Sequence, residues 1–206
     1  MLKKILLILL VLVIAVLGYA ATQPDSFAVE RTISINAAPE KVFANVNDFH
    51  AWENWSPWAK LDPAMKTTYG GPASGVGATY EWAGNSDVGS GKMEITEATP
   101  SSSVTIKLDF MTPIESHNTT VFTLTPTATG TDVIWKMSGP ANYMTKVMTT
   151  FASMDKMVGG DFERGLANLG QQAQAPGGGG SNMPLNGSLS AADKCMVINW
   201  IKGGAK

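Results

Sequence analysis

The chain is short of the residues that carry most protein chemistry. Among 206 residues there is one cysteine, Cys195, and two histidines, His50 and His117. A single thiol excludes an internal disulfide framework and every cysteine-clustered metal site. Two imidazoles without H-E-x-x-H or H-x-H spacing offer no dedicated transition-metal site, so neither a metal nor a cofactor is expected. Charge is also sparse, with 15 Lys+Arg against 17 Asp+Glu for a net charge of −2. Phosphate recognition needs clustered cations, so nucleic acid is not an expected partner. No Ser-His-Asp order and no glycine-rich phosphate loop occurs. Asn118-Thr119-Thr120 fits a glycosylation sequon, but the N-terminal signal reads as bacterial and the match carries no weight.

What the chain does have is apolar surface to bury: 44% of it is hydrophobic, enough for the core of one domain. Part of that content sits at the front. Lys3 and Lys4 precede an unbroken apolar run from Ile5 to Leu17, followed by Gly18, Ala20 and Ala21. Residues 1–21 therefore read as a membrane-targeting segment whose leading charges stay in the cytoplasm, placing the rest of the chain in the periplasm or outside the cell. The run is near the lower length limit for a spanning helix, and Gly18-Tyr19-Ala20 also fits a cleavage site. An uncleaved signal anchor is preferred, with Tyr19 at the interface, and secretion after cleavage is the alternative. No cysteine comes directly after the run, which excludes a lipoprotein anchor.

From 28 to 169 the pattern is that of an α+β domain. Residues 28–36 alternate as a first strand, and Pro39 opens a short helix through Val42, Phe43 and Val46 that stops near Asp48. A dense aromatic patch comes next, Phe49, Trp52, Trp55 and Trp58. Period two then takes over in Gly77–Trp82, Gly91–Glu97 and Val104–Phe110, around Phe122 and Leu124, and in Val133–Met137. Such alternation predicts an antiparallel sheet with one wet and one apolar face. Finally Met144, Val147, Met148, Phe151, Met154, Val158, Phe162, Leu166 and Leu169 mark one face of a single long helix, with Gly159-Gly160 as a bend or a close approach. The expected architecture is a curved antiparallel sheet gripping a C-terminal helix, with an apolar space between them.

The candidate ligand-binding residues are those whose predicted faces converge on that space: Tyr80, Trp82, Phe110, Phe122, Trp135, Met137, Met148, Phe151 and Met154. Methionine suits such a lining because its thioether adapts to irregular shapes. Trp52, Trp55 and Trp58 could form the pocket mouth, but packing of the short helices onto the sheet is the preferred reading. Acid–base candidates are few. Asp109 alternates away from Leu108 and Phe110 and faces solvent, while His50, Glu115 and His117 are the groups that could move a proton if the domain were an enzyme.

Several stretches carry a family resemblance over about Phe27 to Leu169. They are Val29-Glu30-Arg31 with Ile35-Asn36-Ala37 and Pro39-Glu40-Lys41-Val42-Phe43, Trp52-Glu53-Asn54-Trp55-Ser56-Pro57-Trp58, Gly75-Val76-Gly77-Ala78, and Met154-Asp155-Lys156-Met157-Val158-Gly159 with Asp161-Phe162-Glu163 and Gly165-Leu166. In these the chain resembles the SRPBCC superfamily, the helix-grip group of START lipid-transfer domains and polyketide cyclase/dehydrase proteins, in its membrane-anchored bacterial branch. The resemblance implies a helix-grip domain over 27–170 that binds a hydrophobic small molecule or lipid in a cavity. It also leaves open a cyclase or hydratase enzyme using the same cavity, or a chaperone-like interaction module with a filled core and an exposed apolar patch. Residues 171–182 read as a glycine-rich linker. The tail, 183–206, is similar to the end of a class I cytochrome c, with Met183-Pro184 and a helix capped by Ser190, but no C-x-x-C-H exists for haem attachment.

Overall fold

The computed structural model describes residues 2–176; the expected cytochrome-like tail, the glycines of the linker and Cys195 lie outside the described residues. Helix α1 (Leu2–Ala21) is followed by strand β1 (Ser26–Ile35), helix α2 (Pro39–Val46), a 3-10 turn at Phe49–Ala51 and the single helical turn α3 (Trp52–Trp55). Six further strands come next: β2 (Lys66–Gly70), β3 (Thr79–Ala83), β4 (Ser90–Thr99), β5 (Ser103–Thr112), β6 (Ser116–Pro126) and β7 (Thr131–Pro140). Helices α4 (Tyr143–Phe151) and α5 (Met154–Gln174) close the order. The strands form one antiparallel sheet in the order β1-β7-β6-β5-β4-β3-β2. Register shifts in the β4–β5 pair, between Ser90 and Gly91 and between Ile95 and Glu97, add the local twist that curves it.

Strands β4 to β7 bury alternate residues, as their sequences require. On the inner face Val29, Ile95, Val104, Ile106, Phe122, Val133 and Trp135 are at most 2% exposed. Helix α5 covers β1 and packs on α2 and α3, which in turn cover β6 and part of β5. Pro39 sits in the first turn of α2, where its absent N–H costs no hydrogen bond. Strand β2 has no counterpart in the sequence reading, its signal being only the short alternation of Thr67 and Tyr69.

The expected single C-terminal helix is two helices. The chain leaves helical geometry at Ala152 and Ser153, and Ser153 caps α5 by accepting the backbone N–H of Lys156 at 3.3 Å. The apolar spacing from Phe151 to Met154 hides the break, because three residues preserve a helical stripe across any short interruption. Gly159-Gly160, where a bend was the alternative, lies inside a continuous α5. Gly159 instead marks a close approach, since a side chain there would collide with the Arg31 guanidinium, which pairs with Asp155 and Glu163 at 2.7 Å each. A Cβ at Gly165 would lie 2.7 Å from the Trp135 ring. Helix α5 rests this close to the sheet because its facing residue has no side chain. It also extends to Gln174, into the stretch expected as linker.

Candidate functional site

The space between sheet and helix divides into a filled half and a half-open one. In the filled half Trp135 stacks on Phe162 of α5, with centroids 4.2 Å apart and planes at 11°, and on Phe122 at 4.9 Å. Trp52, Trp55 and Trp58 meet Trp135 edge-on at 6.4, 5.7 and 5.9 Å. The backbone anchors these rings: Trp52 Nε1 donates to the Val46 carbonyl at 3.0 Å and Trp55 Nε1 to that of Asn45 at 3.2 Å. Asn168 of α5 donates to the Trp55 carbonyl at 3.1 Å, tying helix to cluster. Edge-on and offset-stacked rings fill volume densely and stabilise beyond their buried area. Of the nine expected ligand residues, Phe122, Trp135 and Met137 are buried in the hydrophobic core.

The half-open end arises from register. One inward rung crosses the sheet through Asn118, Leu108, Met93, Tyr80 and Tyr69, each the partner of the next. The adjacent rung carries Ser116, Phe110, Gly91 and Trp82. Here Tyr80, Trp82 and Phe110 are half-buried, as is Met154 at the start of α5. Trp82 stacks on Tyr80 at 6.0 Å and meets Phe110 edge-on at 5.7 Å. Its indole lies across Gly91, where a Cβ would come within 2.5 Å of Cζ2, and its Nε1 donates to the Val88 carbonyl at 3.1 Å. Glycine at 91 is thus what lets a large ring lie flat on β4. The last two candidates, Met148 and Phe151, sit on α4 and are 37% and 74% exposed. The structure therefore brings three of the nine, Tyr80, Trp82 and Phe110, into one ring cluster, leaves Met154 half-buried at the start of α5, sets three in the core and carries two away.

Polar groups meet this surface at two points. Asn118 is 5% exposed; its Nδ2 donates to Ser116 Oγ at 3.2 Å, while its Oδ1 lies buried over Gly139 with no hydrogen-bond partner among the described residues. The Trp135 indole N–H is likewise buried without a partner among the described residues. At the far end of the rung Tyr69 donates its hydroxyl to Glu53 at 2.8 Å and stacks on His50 at 4.1 Å, and the His50 ring meets Asp48 at 2.9 Å. Burial, the bond to Glu53 and that carboxylate's charge together push the Tyr69 phenol above its ordinary range. Burial, then the Glu53 charge, raises Tyr80 as well. Sequence reasoning missed Glu53, Tyr69 and Asn118, because only the fold brings α3, β2 and β6 to one face.

The other acid–base candidates lie outside. Asp109, His117 and Glu115 are together on the outer face, with His117 Nδ1 2.8 Å from Asp109 and its side chain 63% exposed. Burial opposes ionisation of Asp109, but hydrogen bonds from Lys107 and His117 outweigh it and hold the carboxyl below the usual range. Two hollows among the described residues also lie away from the inner face. One, of about 630 Å³, lies where Ser34–Asn36 meets Thr127–Thr129, and the other, of about 320 Å³, lies between α3 and α5 around Asn54, Lys60 and Arg164. No group of three or more metal-binding side chains occurs among the described residues.

A curved seven-stranded antiparallel sheet gripping a long helix defines a helix-grip protein of the α+β class. The model of the family described as polyketide cyclase / dehydrase and lipid transport matches residues 26–174, and the chain belongs to that family. Among solved structures it is similar to protein CV1439 from Chromobacterium violaceum, at 16% identity and TM-score 0.51, covering 75% of this chain and 100% of that one. It is similar also to protein SA2116 from Staphylococcus aureus, described as of unknown function, at 13% identity and TM-score 0.54, covering 73% and 97%. The di-domain ARO/CYC BexL of the BE-7585A biosynthetic pathway matches at 12% identity and TM-score 0.53, over 77% of this chain and 53% of BexL. At such identities the likeness is one of fold. No curated protein matches the chain.

Proposed function

We propose that the domain binds a hydrophobic small molecule or lipid on the half-open inner face, at Tyr80, Trp82, Phe110 and Met154, while α1 tethers it to a membrane. The observation that carries the first part is the Trp82–Tyr80–Phe110 surface: three large rings held in fixed orientations, with α5 covering β1 rather than them. Rings left half-exposed on an apolar face gain free energy when an apolar ligand displaces the water over them. The preferred ligand is thus largely apolar.

The tether is supported by α1, which is long and apolar enough to cross a membrane, with side chains from Ile5 to Ile14 more than half exposed. A helix apolar on every side has no aqueous face. Lys3 and Lys4 keep its start in the cytoplasm and direct the domain outward.

Native mass spectrometry of the full chain, released from bacterial membranes in mild detergent, tests the binding proposal. A co-purifying lipid or apolar metabolite is expected, and its loss in Trp82→Ala and Phe110→Ala with unchanged circular dichroism assigns the surface. Full retention in both variants refutes the assignment. A second reading, an interaction module, is favoured by the aromatic filling around Trp135 and by the exposed apolar side chains of α4. An enzyme reading would draw on Glu53 and Tyr69, since His117 and Glu115 face away from the apolar surface.

A further inference from the structure

Helix α4 has an apolar face that no other element among the described residues covers. Tyr143, Met144, Met148 and Phe151 are 49%, 56%, 37% and 74% exposed, and the last three succeed one another at i, i+4 and i+7, which is a single stripe. The opposite side is occupied: Thr145 is 7% exposed, and α4 packs against the end of α1, where Ala20 is fully buried. Two polar contacts fix this arrangement. The Tyr143 hydroxyl donates to the Leu17 carbonyl at 2.9 Å, and Lys146 Nζ meets Asp25 Oδ1 at 2.5 Å, its side chain 12% exposed. Hydrogen bonding and charge from Lys146 hold the Asp25 carboxyl below its usual range.

From this we infer that α4 is an interfacial helix that inserts its Met144–Met148–Phe151 stripe into the bilayer surface beside α1. The inference rests on the proposed tether. If the run Ile5–Leu17 is centred in the hydrocarbon, Leu17 stands about 9 Å from the midplane at 1.5 Å per residue. The hydrocarbon boundary lies about 15 Å from that plane. An element bonded to Leu17 and packed on Ala20 is therefore held at the boundary, the depth at which amphipathic helices lie. Lys146, the charged residue of the helix, is by contrast turned to Asp25. Tyrosine at 143 suits the same depth, its ring among lipid and its hydroxyl on a backbone carbonyl.

Nitroxide labels on the full chain test this in vesicles of phosphatidylethanolamine and phosphatidylglycerol, with Cys195→Ser as background. Labels go singly at Leu10→Cys, Met148→Cys, Phe151→Cys and, at the sheet end remote from α1, Thr125→Cys. Collision with oxygen, which concentrates in lipid, is compared with collision with a water-soluble nickel chelate. The expected result is oxygen-dominated relaxation at 10, 148 and 151 and chelate-dominated relaxation at 125. Lipid contact at 10 with water contact at 148 and 151 overturns the inference, leaves the tether standing and makes the stripe available to a protein partner. Water contact at 10 removes the tether and the inference with it, and lipid contact at 125 overturns it as well, by showing adsorption of the whole domain.

Discussion

Helix α5 contains two glycines with opposite expected responses to the same added methyl group. Gly160 has nothing within 4 Å of a built Cβ, so Gly160→Ala gains only the helix preference of alanine, up to about 1 kcal/mol. At Gly165 the same methyl comes to 2.7 Å from Trp135 Cζ3 and 3.2 Å from Pro57 Cδ. The Trp135 ring has nowhere to go: it is 2% exposed, with Phe162 stacked on it at 4.2 Å and Phe122 at 4.9 Å. Overpacking of this kind costs about 1 to 3 kcal/mol, of which the helix preference returns about 1. Gly165→Ala is thus expected to destabilise by about 1 kcal/mol and Gly160→Ala to stabilise by a similar amount. At about 2 to 4 °C per kcal/mol for a domain of this size, the two midpoints should fall about 4 to 8 °C apart. Thermal unfolding of the full chain in detergent, followed by circular dichroism, measures the difference. Equal or same-signed shifts would refute the claim that α5 is held against a rigid aromatic plug.

Three further outcomes are expected. A methyl in Gly91→Ala would meet both the Trp82 indole and the Asp109 carbonyl oxygen of β5, so a fluorescent fatty-acid probe should bind more weakly than to the wild-type chain and the thermal midpoint should fall; unaltered binding counts against the Trp82 surface. In an ultraviolet titration Tyr69 and Tyr80 should ionise above the ordinary value of about 10, and Glu53→Gln should lower the Tyr69 midpoint because an acceptor charge is lost. A phenol whose folded pKa is raised contributes its stability fully below about pH 10 and loses that contribution as pH rises through the folded value, so alkaline unfolding should begin earlier in Glu53→Gln. A Tyr69 midpoint unchanged in Glu53→Gln would show that the hydrogen bond is not formed in solution.

How far the sequence carried the fold depends on how local each signal was. Strands β4 to β7 were readable because alternation records burial residue by residue, and every inward residue from Val104 to Leu108 is buried as its spacing required. The break between α4 and α5 was not, because a helical stripe continues in register through a three-residue step and Ser153 is an ordinary serine without its capping geometry. The candidate site was half legible. The faces of Tyr80, Trp82 and Phe110 were correctly turned inward by period two, yet nothing local distinguishes them from Phe122 and Trp135, which alternate identically. What separates the two sets is the position of α5 over β1, a long-range fact set by Gly159 against Arg31 and Gly165 against Trp135.

That same placement connects core to surface. Because α5 fills the space over β7 with Phe162 and leaves β3 to β5 to the smaller elements, the proposed binding surface lies at the other end of the apolar face from the packed aromatic core. Substitutions at Trp135 or Phe162 act on folding and at Trp82 or Phe110 on the exposed rings, so the two properties can change separately. Helix α4 belongs to neither end. It leaves β7 at Pro140 and turns to α1, with Lys146 on Asp25 and Tyr143 on Leu17. The break at Ala152–Ser153 is what permits this: had the helix run unbroken from Tyr143 to Gln174, α4 would have continued the axis of α5 along the sheet instead of packing beside the apolar helix.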